Sequence, residues 1–137
     1  MPLIAYLNFD GCADDAIQHY QKALGAEVVM RMCHRDSPEP PPPGAMPPDS
    51  GDKVMHAELR IGDGRLMLSD GYCRNARSFA GFSLSHTAAD AAAAAKAFDA
   101  LAEGGKVDMP LGKTFWSPCF GMLTDRFGVM WMVTVPS

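Results

Sequence analysis

Two stretches of equal length decide the fold: His56-Ala57-Glu58-Leu59-Arg60-Ile61-Gly62-Asp63-Gly64-Arg65-Leu66-Met67-Leu68 and Phe120-Gly121-Met122-Leu123-Thr124-Asp125-Arg126-Phe127-Gly128-Val129-Met130-Trp131-Met132. Laid over each other without a gap, they place Gly64 on Gly128, and both read as strand, turn and returning strand. In the first, Met55, Ala57, Leu59 and Ile61 alternate with His56, Glu58 and Arg60, the period of two expected of a half-buried strand. Gly62-Asp63-Gly64 supplies the positive φ of a tight hairpin turn. In the second, Asp125-Arg126-Phe127-Gly128 is the turn, and residues 129–135 return in Val, Met and Trp.

Outward from these hairpins, residues 6–25 lie on 82–104 or 82–105 with a small insertion, as strand, helix and glycine cap. Leu3, Ala5, Leu7 and Phe9 alternate with Ile4, Tyr6 and Asn8. Ala13, Ile17, Tyr20 and Leu24 then fall at helical spacing, with Asp14 and Asp15 favourable in the first turn and Gly25 closing the last. Residues 27–34 return as a strand. In the second half, residues 79–85 predict a first strand, Thr87 an N-cap with Asp90 three residues on, and 88–103 an alanine-rich helix whose large contacts are Phe98 and Leu101. Strand material follows at 107–109 and from Phe115. The order βαβββ, met twice, predicts one α+β domain over residues 1–137, module one about 1–73 and module two about 79–137. On that order the curled sheets are expected to form an open barrel, with helices outside and a cavity inside.

The chain of 137 residues carries a net charge of -4, with Lys and Arg scattered. No footprint for nucleic acid or an anionic membrane appears. The start Met1-Pro2-Leu3-Ile4 runs straight into strand-like sequence, and no apolar run approaches a membrane span, so the expectation is a soluble, cytoplasmic protein. Cys12, Cys33, Cys73 and Cys119 are far apart, without zinc-site spacing, and read as reduced thiols. Residues 36–52 hold seven of the eleven prolines, including the run 40–43, which rules out helix or central strand there. This long loop is either disordered or covered by a partner, or it is a lid.

Several motifs carry a family resemblance. Thr114-Phe115-Trp116, Phe120-Gly121, the run Thr124-Asp125-Arg126-Phe127-Gly128-Val129 and Trp131-Met132 resemble the C-terminal signature of the PhnB-like branch of the vicinal oxygen chelate superfamily, which includes glyoxalase I, bleomycin- and fosfomycin-resistance proteins and extradiol dioxygenases. The opening residues 2–7, the helix 15–26, His56-Ala57-Glu58 and Leu68-Ser69-Asp70 are similar as well. The resemblance implies a homodimer of paired βαβββ modules. In its metal-using members it also implies a divalent ion held by His, Glu or Gln of first and last strands. Carried over, the last-strand positions fall on Leu68 and Met132, and the first-strand positions near Tyr6 or Asn8 and near Ser83 or Ser85, none of which suits a hard or borderline metal. No metal and no cofactor are expected.

In place of a metal site, Tyr6, Asn8, His56, Glu58 and Arg60 are expected to converge on one cavity wall, opposite a mostly apolar wall of Phe120, Met122 and Thr124 with Met132, and Trp116 near the rim. That pairing suits a flat organic ligand with a polar end. The competing reading is a self-satisfied patch, with Glu58 paired to Arg60 and His56 bonded to a neighbouring strand. His56 is the one weak candidate for acid–base chemistry. Trp116 and Phe115 could stack on a ligand, but packing at a dimer interface is the preferred reading for them, while His19, His34 and His86 read as surface or loop residues. The function read from these residues is metal-free binding of an unidentified small molecule. The alternatives are a metal-dependent lyase, isomerase or dioxygenase using His56 and Glu58, and, less favoured for want of a glycine-rich cofactor turn, a quinone-precursor methyltransferase, a name attached to relatives of the branch.

Overall fold

The computed structural model describes residues 2–39 and 41–137; Pro40 of the proline run and Met1 lie outside them. The chain divides into two compact units, the first ending at Arg77 and the second running from Ser78 to Ser137.

Unit one contains β1 (Tyr6–Asn8), α1 (Ala13–Leu24), β2 (Glu27–Cys33), a short 3-10 turn (His34–Asp36), β3 (Val54–Ile61) and β4 (Gly64–Ser69). Its strands lie in the order β1-β4-β3-β2, with β1 parallel to β4 and the other pairs antiparallel. Leu7, Ala57, Leu59, Leu66 and Leu68 are buried, as are Ala13, Ala16, Ile17 and Tyr20 of α1. The helix covers one face of the sheet, as the alternation implies. Gly25 closes α1 in the left-handed conformation, its N–H donating to Gln21 O at 3.0 Å. His19 is buried rather than a surface residue, because it sits one turn on from the buried Ala16 along α1. In β3 it is Val54 that is buried and Met55 that is half-exposed, since a register shift between Met32 and Cys33 reverses the alternation at the strand's start.

Unit two repeats the path with β5 (Leu84–Thr87), α2 (Ala91–Ala102), β6 (Lys106–Gly112), β7 (Phe120–Thr124) and β8 (Met130–Thr134), in the order β5-β8-β7-β6. Phe98 and Leu101 are buried as expected. The first strand starts later than predicted because its parallel pairing with β8 covers Leu84 to Thr87. Thr87 is therefore still in the sheet, and Asp90 caps α2 by accepting from Ala93 N at 2.8 Å. His86, expected beside the helix in solvent, is instead a half-buried strand residue opposite Val133. Burial holds its imidazole below the ordinary value. Pro110 is tolerated because β6 is an edge strand whose ladder is irregular between Met109 and Gly112. A side chain at Gly121 would meet Phe98 of α2 at 2.8 Å, so the helix packs directly on backbone there.

The repeat is real, but its gapless form is not. Residues 61–64 separate the paired Arg60 and Arg65, whereas residues 125–129 separate the paired Thr124 and Met130. The second turn is one residue longer, closed by Asp125, whose buried carboxylate accepts from Phe127 N at 2.9 Å, Val129 N at 3.0 Å and Trp131 Nε1 at 3.0 Å. The register partner of Glu58 is Met67 and that of Met122 is Met132. The counterpart of Met132 is thus Met67, while Leu68 is fully buried beneath α1.

Unit one has its own buried anchor. Asp70 accepts from Gly11 N at 2.9 Å, Ala13 N at 2.8 Å and Val54 N at 2.9 Å, tying the end of β4 to the start of α1 and of β3. In unit two the buried Ser117 hydroxyl lies 2.8 Å from Cys119 O and 2.7 Å from Val135 O, joining the entry to β7 and the exit from β8.

Candidate functional site

The face of sheet one turned away from α1 carries Tyr6, Asn8, His56, Glu58 and Arg60, as alternation requires. Tyr6 lies opposite Met67 on β4, and Met67 opposite Glu58 on β3, so these three form one row. Tyr6 reaches across β4 to His56: its Oη is 2.9 Å from Nδ1, and the rings stack at 5.5 Å between centroids with 21° between planes. With the phenol as donor, the imidazole carries its proton on Nε2, leaving that N–H for a ligand acceptor. Tyr6 is 51% exposed.

The charged pairs on this face are not the Glu58–Arg60 pair of the self-satisfied reading. Glu58 pairs with Arg65 on the neighbouring strand, and Arg60 with Glu27 on β2. Arg60 faces Glu27 directly across the β2–β3 ladder, and Arg65, which faces Arg60 across β3–β4, reaches diagonally to Glu58. The Glu58 side chain is only 12% exposed while Arg65 is 48% exposed. Asn8 turns back on its own chain, its Oδ1 accepting from Asp10 N at 3.0 Å. A Cβ at Gly71, whose φ is 52°, would come within 2.8 Å of the Asn8 amide. The structure therefore couples Tyr6 with His56 and leaves Asn8 engaged with the adjoining turn.

The residues expected on the apolar wall lie on unit two. Phe120, Met122 and Met132 are half-buried, and Met122 faces Met132 across β7 and β8. Trp116 meets Phe120 edge-on at 5.3 Å and Phe115 at 4.7 Å. Phe115 is 98% exposed, held on a turn in which Ser117 N donates to Thr114 Oγ1 at 3.1 Å.

The donor set does not fit the divalent ion that the resemblance brings with it. The last-strand positions are Met67 and Met132, and the first-strand residues beside them are Tyr6 and Ser85. Thioethers are soft ligands, unsuited to oxygen-seeking ions. His56 Nδ1 and the Glu58 carboxylate already have partners in Tyr6 and Arg65. Among the described residues no group of three or more His, Cys, Asp or Glu side chains is placed to hold a metal.

Cys12 and Cys73 are not activated as nucleophiles. Burial pushes the Cys12 and Cys73 thiols up from their ordinary value, with the Asp70 carboxylate adding to the shift. His34, read from sequence as a surface or loop residue, is half-buried, its Nε2 3.0 Å from Gly71 O. No helix among the described residues is long and apolar enough to cross a membrane.

A concavity that sequence reasoning did not place lies in the proline-rich segment, a groove of about 450 Å³ lined by residues of 34–51. The only signal for it was the density of prolines, which stiffens a long loop enough to hold a shape.

Comparison with known proteins agrees with this architecture. Residues 5–133 match the profile of the Glyoxalase/Bleomycin resistance protein/Dioxygenase superfamily. The protein YjdN of Escherichia coli K12 is 38% identical over 142 residues, covering 98% of this chain and 95% of its own. The crystal structure of protein PA1353 from Pseudomonas aeruginosa is 42% identical, with a TM-score of 0.85 over 99% of this chain and 98% of that one. A Bacillus cereus PhnB protein, described as a putative 3-demethylubiquinone-9 3-methyltransferase, is 27% identical, with a TM-score of 0.78 over 98% of this chain and 99% of its own.

Proposed function

The chain belongs to the glyoxalase/bleomycin resistance/dioxygenase superfamily, in its PhnB-like branch, and from that premise we propose that it is a small-molecule-binding protein that works without a metal ion. The observation that carries this reading is the Tyr6–His56 pair, stacked and hydrogen-bonded on the uncovered face of sheet one beside Glu58. A stacked phenol and imidazole give a flat surface for an aromatic ring. With the phenol donating to Nδ1, Nε2–H is a single directed donor, and Met67 between the two strands an adaptable apolar floor. The ligand this favours is a flat organic molecule with an acceptor at one end. Phe120, Met122, Met132 and Trp116 of unit two are by themselves a second apolar surface for such a compound.

Methyl transfer has less support. The turn from β1 into α1 contains the single glycine Gly11, and the amides of Gly11 and Ala13 are taken by Asp70. The methyltransferase description belongs to the Bacillus cereus relative.

A homodimer in the cytoplasm completes the proposal. Val28, Val29 and Met30 on the edge strand β2 and Val107 and Met109 on the edge strand β6 are exposed, which favours a second copy covering them.

The experiment is a thermal-shift screen of aromatic and amphipathic compounds in EDTA, repeated with added Zn²⁺, Mn²⁺, Ni²⁺ or Fe²⁺. Saturable shifts in EDTA that disappear in Tyr6→Phe/His56→Phe are expected. Shifts seen only with a metal, accompanied by stoichiometric uptake of that metal, would sink the metal-free reading.

A further inference from the structure

The segment joining β2 to β3 is a closed loop. Its neck is pinned twice, by His34 N donating to Lys53 O and Arg35 N donating to Gly51 O, both at 3.0 Å. Within it, Ala45 N donates to Pro42 O at 3.0 Å, Ser37 Oγ to Glu39 O at 2.8 Å and Ser50 Oγ to Pro47 O at 2.7 Å. Compact loops with joined ends and internal ties are a recurrent setting for function.

The groove of about 450 Å³ that the loop encloses is lined by Arg35, Pro41, Pro42, Pro43, Met46 and Ser50, among others. That volume falls within the range of roughly 300 to 1,000 Å³ usual for small-ligand sites. None of its lining residues belongs to the Tyr6–His56–Glu58 cluster.

The chemistry of the wall is unusual in a useful way. Consecutive prolines have no N–H, so their backbone presents carbonyl acceptors alone between flat, rigid apolar rings. The one guanidinium is Arg35, which pairs with Asp52 where both side chains are largely exposed, at 60% and 80%. An exposed pair of this kind is weak and readily exchanged. A ligand carboxylate can therefore replace Asp52 on Arg35, with the planar fork that guanidinium groups offer to carboxylates. The ties already made within the loop reduce the ordering that binding would require.

We infer that this loop is a second binding site, independent of the open face of sheet one, for a flat aromatic carboxylate bearing a hydroxyl group. The ring lies on the prolines and Met46, the carboxylate meets Arg35, and the hydroxyl donates to a proline carbonyl.

The test is a titration of the full chain with 4-hydroxybenzoate, followed through backbone amide resonances. Saturable changes at Gly44, Met46 and Gly51 are expected. Arg35→Gln should raise Kd about tenfold, the size of one charge-assisted hydrogen bond, and Asp52→Asn should lower it about threefold by removing the competing carboxylate. The uncharged 4-hydroxybenzyl alcohol should bind about tenfold more weakly. Absence of saturable change at those amides, an unaltered Kd in Arg35→Gln, or an unaltered or raised Kd in Asp52→Asn overturns the inference. Changes confined to Tyr6 and His56 would overturn it while leaving the open-face reading in place.

Discussion

Register by register, Tyr6, Met67, Glu58 and Met30 cross sheet one where Ser85, Met132, Met122 and Met109 cross sheet two, and His56 stands where sheet two has Phe120. The covered faces differ less: Leu66 and Leu68 correspond to Trp131 and Val133, and all four are buried. One chain path has thus kept its apolar layer twice and put different chemistry on the layer that folding leaves free. Burial constrains the helix-covered side, because each polar group there needs a partner. The other side is open to specialisation, polar in unit one and rich in methionine in unit two.

The anchors differ as well. Asp70 joins segments distant along the chain, at separations of 59, 57 and 16 residues. Asp125 holds groups only 2, 4 and 6 residues away. The largest expected effect follows from this contrast. Asp70→Ala leaves three amide donors without their acceptor where water has little access, and should cost about 3 to 5 kcal/mol. Asp125→Ala should cost about half as much, because its three donors lie within six residues of it along the chain and one local turn can rearrange around them. Urea unfolding of both variants checks the order; equal losses would mean that the long-range ties of Asp70 add nothing to local turn closure.

Rewriting the open face of unit one with the residues of unit two, by His56→Phe with Glu58→Met, gives the next effect. Stability should change by about 1 kcal/mol or less, since the groups are only partly buried and Arg65 can return to water. Ligand-dependent thermal shifts found in EDTA should be lost. Retained shifts would move the binding surface away from this face.

A smaller effect concerns His86, which occupies the register position of the buried Leu7. Burial lowers its pKa below the ordinary value near 6.5. The unfolded chain therefore binds the proton more readily, and stability is lost as pH falls through the unfolded-state value. His86→Leu should flatten the dependence of unfolding free energy on pH between about pH 7 and 5, where histidine ordinarily titrates. An unchanged slope would show that His86 has no part in it. Smallest is the thiol chemistry: with Cys12 and Cys73 raised by burial, their reaction with iodoacetamide at pH 7 should be slower than that of free cysteine, as peptide mapping over time would show.

Much of this was legible in the chain. Alternation in 57–60, the helical spacing of Ile17 and Tyr20, the Gly25 cap and the pair Phe98 and Leu101 each reflect one local rule, and all reappear in the structure. Errors arose where a tertiary contact overrode a local rule. Thr87 is a sound N-cap by type, but pairing with Thr134 keeps it in the sheet. The gapless repeat put Leu68 at an open position because nothing local announces that Asp125 will close a longer turn. The Glu58–Arg65 and Arg60–Glu27 pairs depend on cross-strand register, which periodicity along one strand does not contain. The tie between Tyr6 and His56, 50 residues apart, was foreseen only as convergence on one wall.

The central claim is that the Tyr6–His56 face binds its ligand without a metal. Native mass spectrometry of the EDTA-treated protein, incubated with the compound giving the largest thermal shift, tests it most directly. The account predicts a complex whose added mass equals the compound alone and which is missing from Tyr6→Phe/His56→Phe. A complex that forms only when a divalent ion is restored, with the mass of ion and compound together, would contradict it.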